Sequence, residues 1–81
     1  MTITILSQPG CQPCNLTYNK FEKAGVETKV VNIRDAENAS AAQRGIDLGY
    51  TGTPIVLVEK DGELVDHWSQ FRLDKINEYS C

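Results

Sequence analysis

The stretch TITILSQPGCQPC, residues 2–14, decides the fold of this chain. Its first five residues alternate threonine with aliphatic side chains, which is the period-2 pattern of a β-strand. A Pro-Gly turn then breaks the strand, and Cys11 and Cys14 follow where the spacing changes to that of a helix. The stretch therefore predicts a strand that leads through a tight turn into a helix, with a cysteine pair in the first helical turn.

The residues after the cysteine pair continue the helix. Cys14, Tyr18 and Phe21 fall on one stripe of a helix predicted over residues 11–24, and we expect this stripe to be the buried face. Gly25 is predicted to end this helix. Tyr18 is therefore predicted to be a core residue.

The rest of the chain alternates between strand and helix patterns. Residues 28–33 are predicted to form a strand, and residues 36–48 a helix that Asp35 caps, Gly45 weakens and Gly49 ends. Strands are predicted over 55–58 and 63–68, joined by a turn at Asp61-Gly62. The last predicted element is a helix over 73–79 with Leu73 and Ile76 on its buried side. The order β-α-β-α-β-β-α predicts an α/β fold, a four-stranded mixed sheet with three helices packed on its faces. With 81 residues, the chain is expected to form a single domain over residues 1–81.

Composition and charge exclude several classes of function. The net charge is −3 and no cluster of Lys or Arg occurs, so the electrostatic footprint of a nucleic-acid or anionic-membrane binder is missing. No segment is long and apolar enough to cross a bilayer. Residues 2–6 have no basic region before them and form no long apolar run, so they do not indicate a signal peptide. We therefore expect a monomer in the reducing cytoplasm, with other proteins as partners.

Cys11 and Cys14 have the spacing of a redox-active dithiol. In the first turn of a helix, residues three apart meet the Cα separation of roughly 4.4–6.8 Å that a disulfide requires. The N-terminus of a helix offers unpaired N–H groups and a positive dipole end, which favour a thiolate at Cys11. Pro13 has no N–H to give that sulfur, whereas the Cys14 N–H remains available. Cys11 is therefore predicted to be the nucleophile and the more buried Cys14 the resolving thiol.

Two alternatives for the cysteine pair remain open at this point. A lone Cys-x-x-Cys can be half of a zinc site in a non-catalytic adaptor, with His67 and Cys81 completing the ligands. The pair can also be two buried structural cysteines. Its position between a strand and a long amphipathic helix favours redox chemistry with no metal or other bound cofactor. His67 is expected to be a half-exposed structural residue rather than a catalytic base.

Four features of the sequence together resemble the glutaredoxin-like NrdH redoxins of the thioredoxin superfamily. They are Cys-x-x-Cys after the first strand, Leu48-Gly49-Tyr50, Thr53-Pro54 before the third strand, and Trp68-Ser69-Gln70-Phe71-Arg72 after the fourth. The last motif is the most specific, and the resemblance covers nearly the whole chain. It implies the thioredoxin fold, with a cis peptide bond before Pro54 and the backbone of Thr53 free to pair with an extended substrate segment.

The resemblance also implies a role in electron transfer. NrdH redoxins take electrons from thioredoxin reductase, which uses NADPH, and pass them to the class Ib ribonucleotide reductase. Glutaredoxins carry a Gly-Gly-x-Asp stretch after the fourth strand to hold glutathione, and this chain has residues 67–72 there instead. The resemblance thus favours a protein reductase as the electron source, and a glutathione-dependent glutaredoxin is the close alternative.

Several residues around the dithiol are expected to contact partner proteins. They are Gln12, Pro13, Thr53, Pro54, Trp68, Ser69, Phe71 and Arg72. Trp68 and Phe71 are interpreted as an apolar docking surface, with packing in the core as the alternative for either ring. Ser69 and Arg72 are expected to hold their loop by hydrogen bonds.

The chain departs from the pattern of the group at three positions. Gln70 stands where Gly is usual, Leu73 where Pro is usual, and Gln8 where many members carry Lys or Arg. Without that cation, the Cys11 thiolate is expected to be less stabilised than in relatives that have it.

Overall fold

The alternating and β-branched runs of the sequence form strands, and the amphipathic stretches between them form helices. The computed structural model describes residues 1–80, and Cys81 lies outside them. The elements are β1 (Thr2–Ser7), α1 (Gln12–Lys23), β2 (Lys29–Asn32), a 3-10 helix (Ala36–Asn38), α2 (Ala39–Asp47), β3 (Ile55–Lys60), β4 (Glu63–Ser69) and α3 (Leu73–Glu78). The predicted order and the four-stranded mixed sheet are confirmed. None of the helices within residues 1–80 has the length and apolar character needed to span a membrane.

β1 lies inside the sheet, whose strand order is β2-β1-β3-β4. β2 pairs with β1 in parallel, as the crossover through α1 requires, whereas β3 pairs with β1 antiparallel. The hairpin of β3 and β4 turns at Asp61 and Gly62, whose φ angles are 54° and 82°. Positive φ at both central residues suits the twist of a hairpin, so the predicted turn is confirmed. The end of β1 and the start of β3 meet at one edge of the sheet, because Leu6 pairs with Ile55.

Apolar side chains cover both faces of the sheet. Period-2 alternation sends Ile3 and Ile5 of β1 to one face and Leu6 to the other. The buried residues of the first face, which packs against α1 and α3, are Ile3, Ile5, Phe21, Val56, Val58, Trp68 and Ile76. The buried residues of the second face, which packs against α2, are Leu6, Ile55 and Leu57. The first of these layers holds α1 against the sheet, with its N-terminus at the edge where β1 ends.

Two residues predicted for the core lie on the surface instead. Tyr18 is 39% exposed, and Thr17 is buried in its place, with its hydroxyl donating to the Pro13 carbonyl oxygen at 2.8 Å. Both positions lie near the buried stripe of α1, and this hydrogen bond satisfies the buried hydroxyl, so the smaller residue faces inward. Leu73 is 44% exposed at the first position of α3, where Ile76 is the buried residue. The predictions for Tyr18 and Leu73 are therefore wrong.

The segment predicted as one helix over 36–48 consists of two elements. A 3-10 helix occupies Ala36–Asn38, and α2 begins only after it. Asp35 precedes the 3-10 helix as expected for a cap, but its side chain makes no capping hydrogen bond. Instead, the side-chain amide of Asn38 donates to the Asn32 carbonyl oxygen at 2.8 Å. A bond to the end of β2, rather than a local cap, fixes the start of α2.

Candidate active site

The N-terminus of α1 carries the cysteine pair. Gly10 turns the chain with a φ of 76°, and Cys11 takes the N-cap position in an extended conformation. Pro13 lies in the first turn, where a missing N–H leaves no hydrogen bond unmade. The Cys14 backbone N–H donates to Cys11 Sγ at 3.2 Å, as the sequence predicts. The Cys11 sulfur thus accepts the bond that a Ser or Asp oxygen accepts at other helix N-caps.

Cys11 and Cys14 form a disulfide in this structure. Their Cα atoms are 5.3 Å apart, within the range that a disulfide requires. Cys14 is 2% exposed, whereas Cys11 is half-buried, so Cys11 is the more accessible of the two residues. The free N–H groups and the positive dipole end of α1 favour a thiolate at Cys11 when the disulfide is reduced.

A second segment approaches the disulfide at the start of β3. The peptide bond between Thr53 and Pro54 is cis, as the resemblance implies. Thr53 is 7% exposed, and its hydroxyl donates to Cys11 Sγ at 3.5 Å. The sequence predicts a role for the backbone of Thr53 but not this side-chain contact, because no local pattern joins residues 42 positions apart.

Gln8 and Arg34 extend the contacts of Thr53 outward. Gln8 Nε2 donates to Thr53 Oγ1 at 3.0 Å, and Gln8 Oε1 accepts from Arg34 Nε at 3.0 Å. The backbone N–H of Arg34 donates to the Asn32 side-chain oxygen at 2.9 Å, which fixes the turn after β2. In the sequence, Gln8 stands out only as a departure from the group, and no motif links Arg34 to the dithiol.

Trp68 lies in the core rather than on a docking surface. It is 2% exposed and belongs to the same buried cluster as Phe21. Its ring stacks on Tyr79 with 5.8 Å between centroids, and Phe71 packs half-buried against that cluster. The cause is the register of β4: Trp68 pairs with Val56, whose side chain points to the face under α1. The docking interpretation is therefore wrong for Trp68, and the alternative of core packing is correct.

Hydrogen bonds hold the segment after β4 against the loop before β3. The Ser69 hydroxyl donates to the Gly52 carbonyl oxygen at 2.9 Å, and the Gln70 backbone N–H donates to the Pro54 carbonyl oxygen at 2.8 Å. Gln70 has a φ of 68°, a conformation that suits the Gly usual in the group. The Gln70 side-chain amide also donates to the Thr53 carbonyl oxygen at 3.4 Å. That backbone oxygen is therefore not free, contrary to expectation.

Arg72 makes its hydrogen bonds within its own segment. Its Nε and Nη2 donate to the two carboxylate oxygens of Asp74 at 3.1 and 2.8 Å, and both side chains are exposed. The guanidinium lowers the pKa of Asp74. Arg72 thus orders the start of α3 and does not tie the loop to the rest of the fold as expected. Gln12 is exposed and Pro13 is half-buried in the first turn of α1, next to Cys11.

An apolar cleft of about 370 Å³ lies beside Thr53. Its lining residues are Gln8, Ile33, Ile46, Tyr50, Thr51, Gly52, Thr53 and Ile55. Ile46 is 62% exposed, so α2 presents an apolar side chain at the rim. Thr53 connects the cleft to the Cys11 sulfur, because it lines the cleft and its hydroxyl donates to Cys11 Sγ.

His67 lies half-buried on β4, as expected for a structural residue. Its Nδ1 shares a hydrogen bond of 2.7 Å with the Tyr50 hydroxyl, and the two rings meet edge-on. Among residues 1–80, no group of three or more His, Cys, Asp or Glu side chains is placed to hold a metal ion. Cys81, a ligand in the zinc alternative, lies outside the described residues.

The chain is similar to known proteins in both sequence and structure. The glutaredoxin-like protein NrdH of Escherichia coli strain K12 is 32% identical over 77 residues, which cover 95% of this chain and 86% of that protein. The Gene 56 protein of Mycobacterium phage D29 is 31% identical over 77 residues, covering 95% of this chain and 83% of the phage protein. No protein-family model matches the chain.

Among solved structures, the NrdH-redoxin of Escherichia coli is described as a glutaredoxin-like protein with a thioredoxin-like activity profile. It superimposes with a TM-score of 0.77 at 30% identity, and the superposition covers 98% of this chain and 95% of that one. Both kinds of similarity extend over nearly the whole chain, and this chain has the β-α-β-α-β-β-α order of the thioredoxin fold. The chain therefore belongs to the glutaredoxin-like NrdH proteins of the thioredoxin superfamily.

Proposed function

We propose that this protein is a dithiol electron carrier that reduces disulfides in other proteins. Thioredoxin reductase returns it to the dithiol form, and ribonucleotide reductase is its client. The observation that carries the proposal is the Cys11–Cys14 disulfide at the N-terminus of α1, with Cys11 the more exposed residue. Similarity to NrdH supports the choice of partners. The protein acts as a monomer in the cytoplasm, without a bound cofactor.

The reaction starts from the reduced dithiol. The Cys11 thiolate attacks one sulfur of a substrate disulfide, the substrate S–S bond breaks, and the other sulfur leaves as a thiolate that takes up a proton. In the mixed disulfide that results, Cys14 loses its proton and attacks the Cys11 sulfur, which releases the second substrate thiol. The substrate has then gained two electrons from the carrier and two protons, one from solution and one from Cys14, and the Cys11–Cys14 disulfide has formed. The reductase dithiol restores the carrier by the same exchange in reverse.

Two hydrogen-bond donors face the attacking sulfur. The Cys14 N–H lies 3.2 Å from Cys11 Sγ and the Thr53 hydroxyl lies 3.5 Å from it. Both stabilise negative charge on Cys11 before the attack, and again when the reductase displaces this sulfur as a thiolate. Cys14 is 2% exposed, and burial favours its neutral thiol until the mixed disulfide brings its target close.

The segment after β4 supports a protein reductase over glutathione as the electron source. Glutaredoxins hold glutathione with a Gly-Gly-x-Asp stretch there, whereas residues 68–72 of this chain contain no carboxylate. The next carboxylate, that of Asp74, is already paired with Arg72 at 2.8 Å. The thioredoxin-like activity profile described for the NrdH-redoxin of Escherichia coli agrees with this choice.

Coupled NADPH oxidation distinguishes the two electron sources. The assay uses Cys81→Ser protein, so that only the Cys11–Cys14 pair reacts, and an oxidised protein disulfide as the acceptor. We expect NADPH to be consumed when thioredoxin reductase and this protein are both present. Glutathione with glutathione reductase should support little turnover. The opposite pattern would identify a glutathione-dependent glutaredoxin and overturn the proposed electron source.

Matched serine substitutions show which sulfurs carry the electrons. Cys11→Ser and Cys14→Ser should each abolish turnover, whereas Cys81→Ser, the same substitution outside the pair, should keep it. Ribonucleotide reductase activity with this protein as the only electron donor then tests the client. Turnover that survives Cys11→Ser would exclude the dithiol mechanism.

A further inference from the structure

A directed chain of hydrogen bonds runs from Arg34 through Gln8 and Thr53 to the Cys11 sulfur. Its three steps measure 3.0 Å from Arg34 Nε to Gln8 Oε1, 3.0 Å from Gln8 Nε2 to Thr53 Oγ1, and 3.5 Å from Thr53 Oγ1 to Cys11 Sγ. The participants come from the ends of three different strands, since Gln8 follows β1, Arg34 follows β2 and Thr53 precedes β3. The fold, rather than any local motif, assembles this chain.

The chemistry of the side chains fixes the direction of every bond. Arg34 has only donors, so the Gln8 atom that faces it must be the carbonyl Oε1. The amide Nε2 of Gln8 then faces Thr53 and has only protons to offer. The Thr53 oxygen must therefore accept from Gln8, and its single hydroxyl proton is left to donate to Cys11 Sγ.

We propose that Gln8 and Arg34 are positioning residues that act through the Thr53 hydroxyl to favour the thiolate of Cys11 once the disulfide is reduced. Each donor in the chain polarises the next, and the hydrogen bond received by the sulfur is strengthened. Arg34 is exposed, so its charge is screened by water, and its role is to hold the Gln8 amide in the orientation that Thr53 requires. This inference rests on the proposed role of Cys11 as the attacking sulfur.

A pH titration of a single thiol tests the inference. In reduced Cys14→Ser, Cys81→Ser protein the remaining thiol is Cys11, and its ionisation is followed by the ultraviolet absorbance of the thiolate.

Thr53→Val removes the hydroxyl and should raise the midpoint of the Cys11 titration by about 1 pH unit, which corresponds to the loss of one hydrogen bond to a charged group. Gln8→Met keeps the shape of the side chain without its donor, and should raise the midpoint by about half as much. Arg34→Ala should give a smaller rise, and Arg44→Ala, an arginine paired with Glu59 instead, should give none.

Combined substitutions separate the relay from other effects. If Gln8 and Arg34 act through Thr53, Gln8→Met and Arg34→Ala should not move the midpoint further in a Thr53→Val background. Shifts of full size in that background would mean that these residues act on the sulfur directly through space, and the inference would be wrong. Unchanged midpoints in the single variants would also overturn it.

The titration is independent of the proposed electron donor and client, because it uses the protein alone. Its failure would leave electron transfer from thioredoxin reductase to be judged by the NADPH assay. Conversely, a protein reduced by glutathione would still show the predicted midpoints. Alkylation followed by peptide mapping of protein that retains both Cys11 and Cys14 adds a separate check, because labelling of Cys14 first would contradict the role of Cys11 itself.

Discussion

Gly45 lies where α2 rests on the sheet, and Gly45→Ala should destabilise the protein even though alanine is the better helix former. A Cβ at this position would lie 2.7 Å from Ile55 Cδ1 and 3.3 Å from Leu6 Cδ1. Both neighbours belong to the buried layer between α2 and the sheet, with exposures of 5% and 0%. The added methyl group therefore has no free space, and either Ile55 or the helix must move.

The expected size follows from two opposing contributions. Replacing a helical glycine by alanine favours folding by about 1 kcal/mol. Overpacking a core costs roughly 1–3 kcal/mol, and a contact near 2.7 Å with the buried Ile55 methyl falls within that range. The net effect should be a loss of about 1 kcal/mol in the free energy of unfolding, which lowers Tm by roughly 4–8 °C in a domain of this size.

Urea unfolding followed by the fluorescence of Trp68 measures this change, since the chain has a single tryptophan and it is buried. Ile55→Val is the matched control, because it removes the Cδ1 atom that the new methyl group would strike. In the Ile55→Val background, Gly45→Ala should be neutral or stabilising. An increase in stability in the wild-type background would contradict this packing, because it would mean that α2 does not rest on Ile55.

Three further substitutions probe the C-terminal half of the chain. Burial opposes ionisation of Asp66, but hydrogen bonds from Lys75 and Tyr79 hold its pKa below the ordinary 3.8. The ionised Asp66 therefore stabilises the fold above that pH, and this stabilisation is lost as the pH falls below it. In acid unfolding, Asp66→Asn should accordingly show a shallower loss of stability below about pH 4. Ser69→Ala removes the bond to the loop before β3 and should cost about 1 kcal/mol in urea unfolding. Gln70→Gly relieves a positive φ of 68° and should raise stability by roughly 0.5–1 kcal/mol. Because it also frees the Thr53 carbonyl oxygen, the same variant should bind extended substrate segments more tightly, as a lower KM would show.

The parts of the fold that the sequence predicted are those decided by local chemistry. Period-2 alternation predicted β1, β-branched residues predicted β2, an apolar run predicted β3, and the Asp61-Gly62 pair predicted the hairpin turn. The Cys11 and Cys14 spacing, together with Pro13, correctly predicted the N–H bond to the Cys11 sulfur. Each of these features depends on residues within a few positions of one another.

Most of the parts that the sequence did not predict depend on contacts between distant segments. One exception is local: Thr17 faces inward in place of Tyr18, and its buried hydroxyl donates to the Pro13 carbonyl oxygen four residues earlier. Trp68 is buried because its strand register sends it to the face beneath α1. Gln8 contacts Arg34, 26 residues away, and Thr53, 45 residues away. A pattern of neighbouring residues does not predict such contacts.

Trapping the mixed disulfide is the direct test of whether Cys11 attacks the substrate disulfide and Cys14 resolves the mixed disulfide. Reduced Cys14→Ser, Cys81→Ser protein is mixed with an oxidised protein disulfide, and the products are digested and mapped by mass spectrometry. We expect a stable covalent complex joined through Cys11, and no such complex from Cys11→Ser, Cys81→Ser protein. An equal yield of a complex joined through Cys14 in the Cys11→Ser, Cys81→Ser protein would contradict these roles. Continued turnover by the Cys14→Ser protein with no trapped partner would contradict them as well.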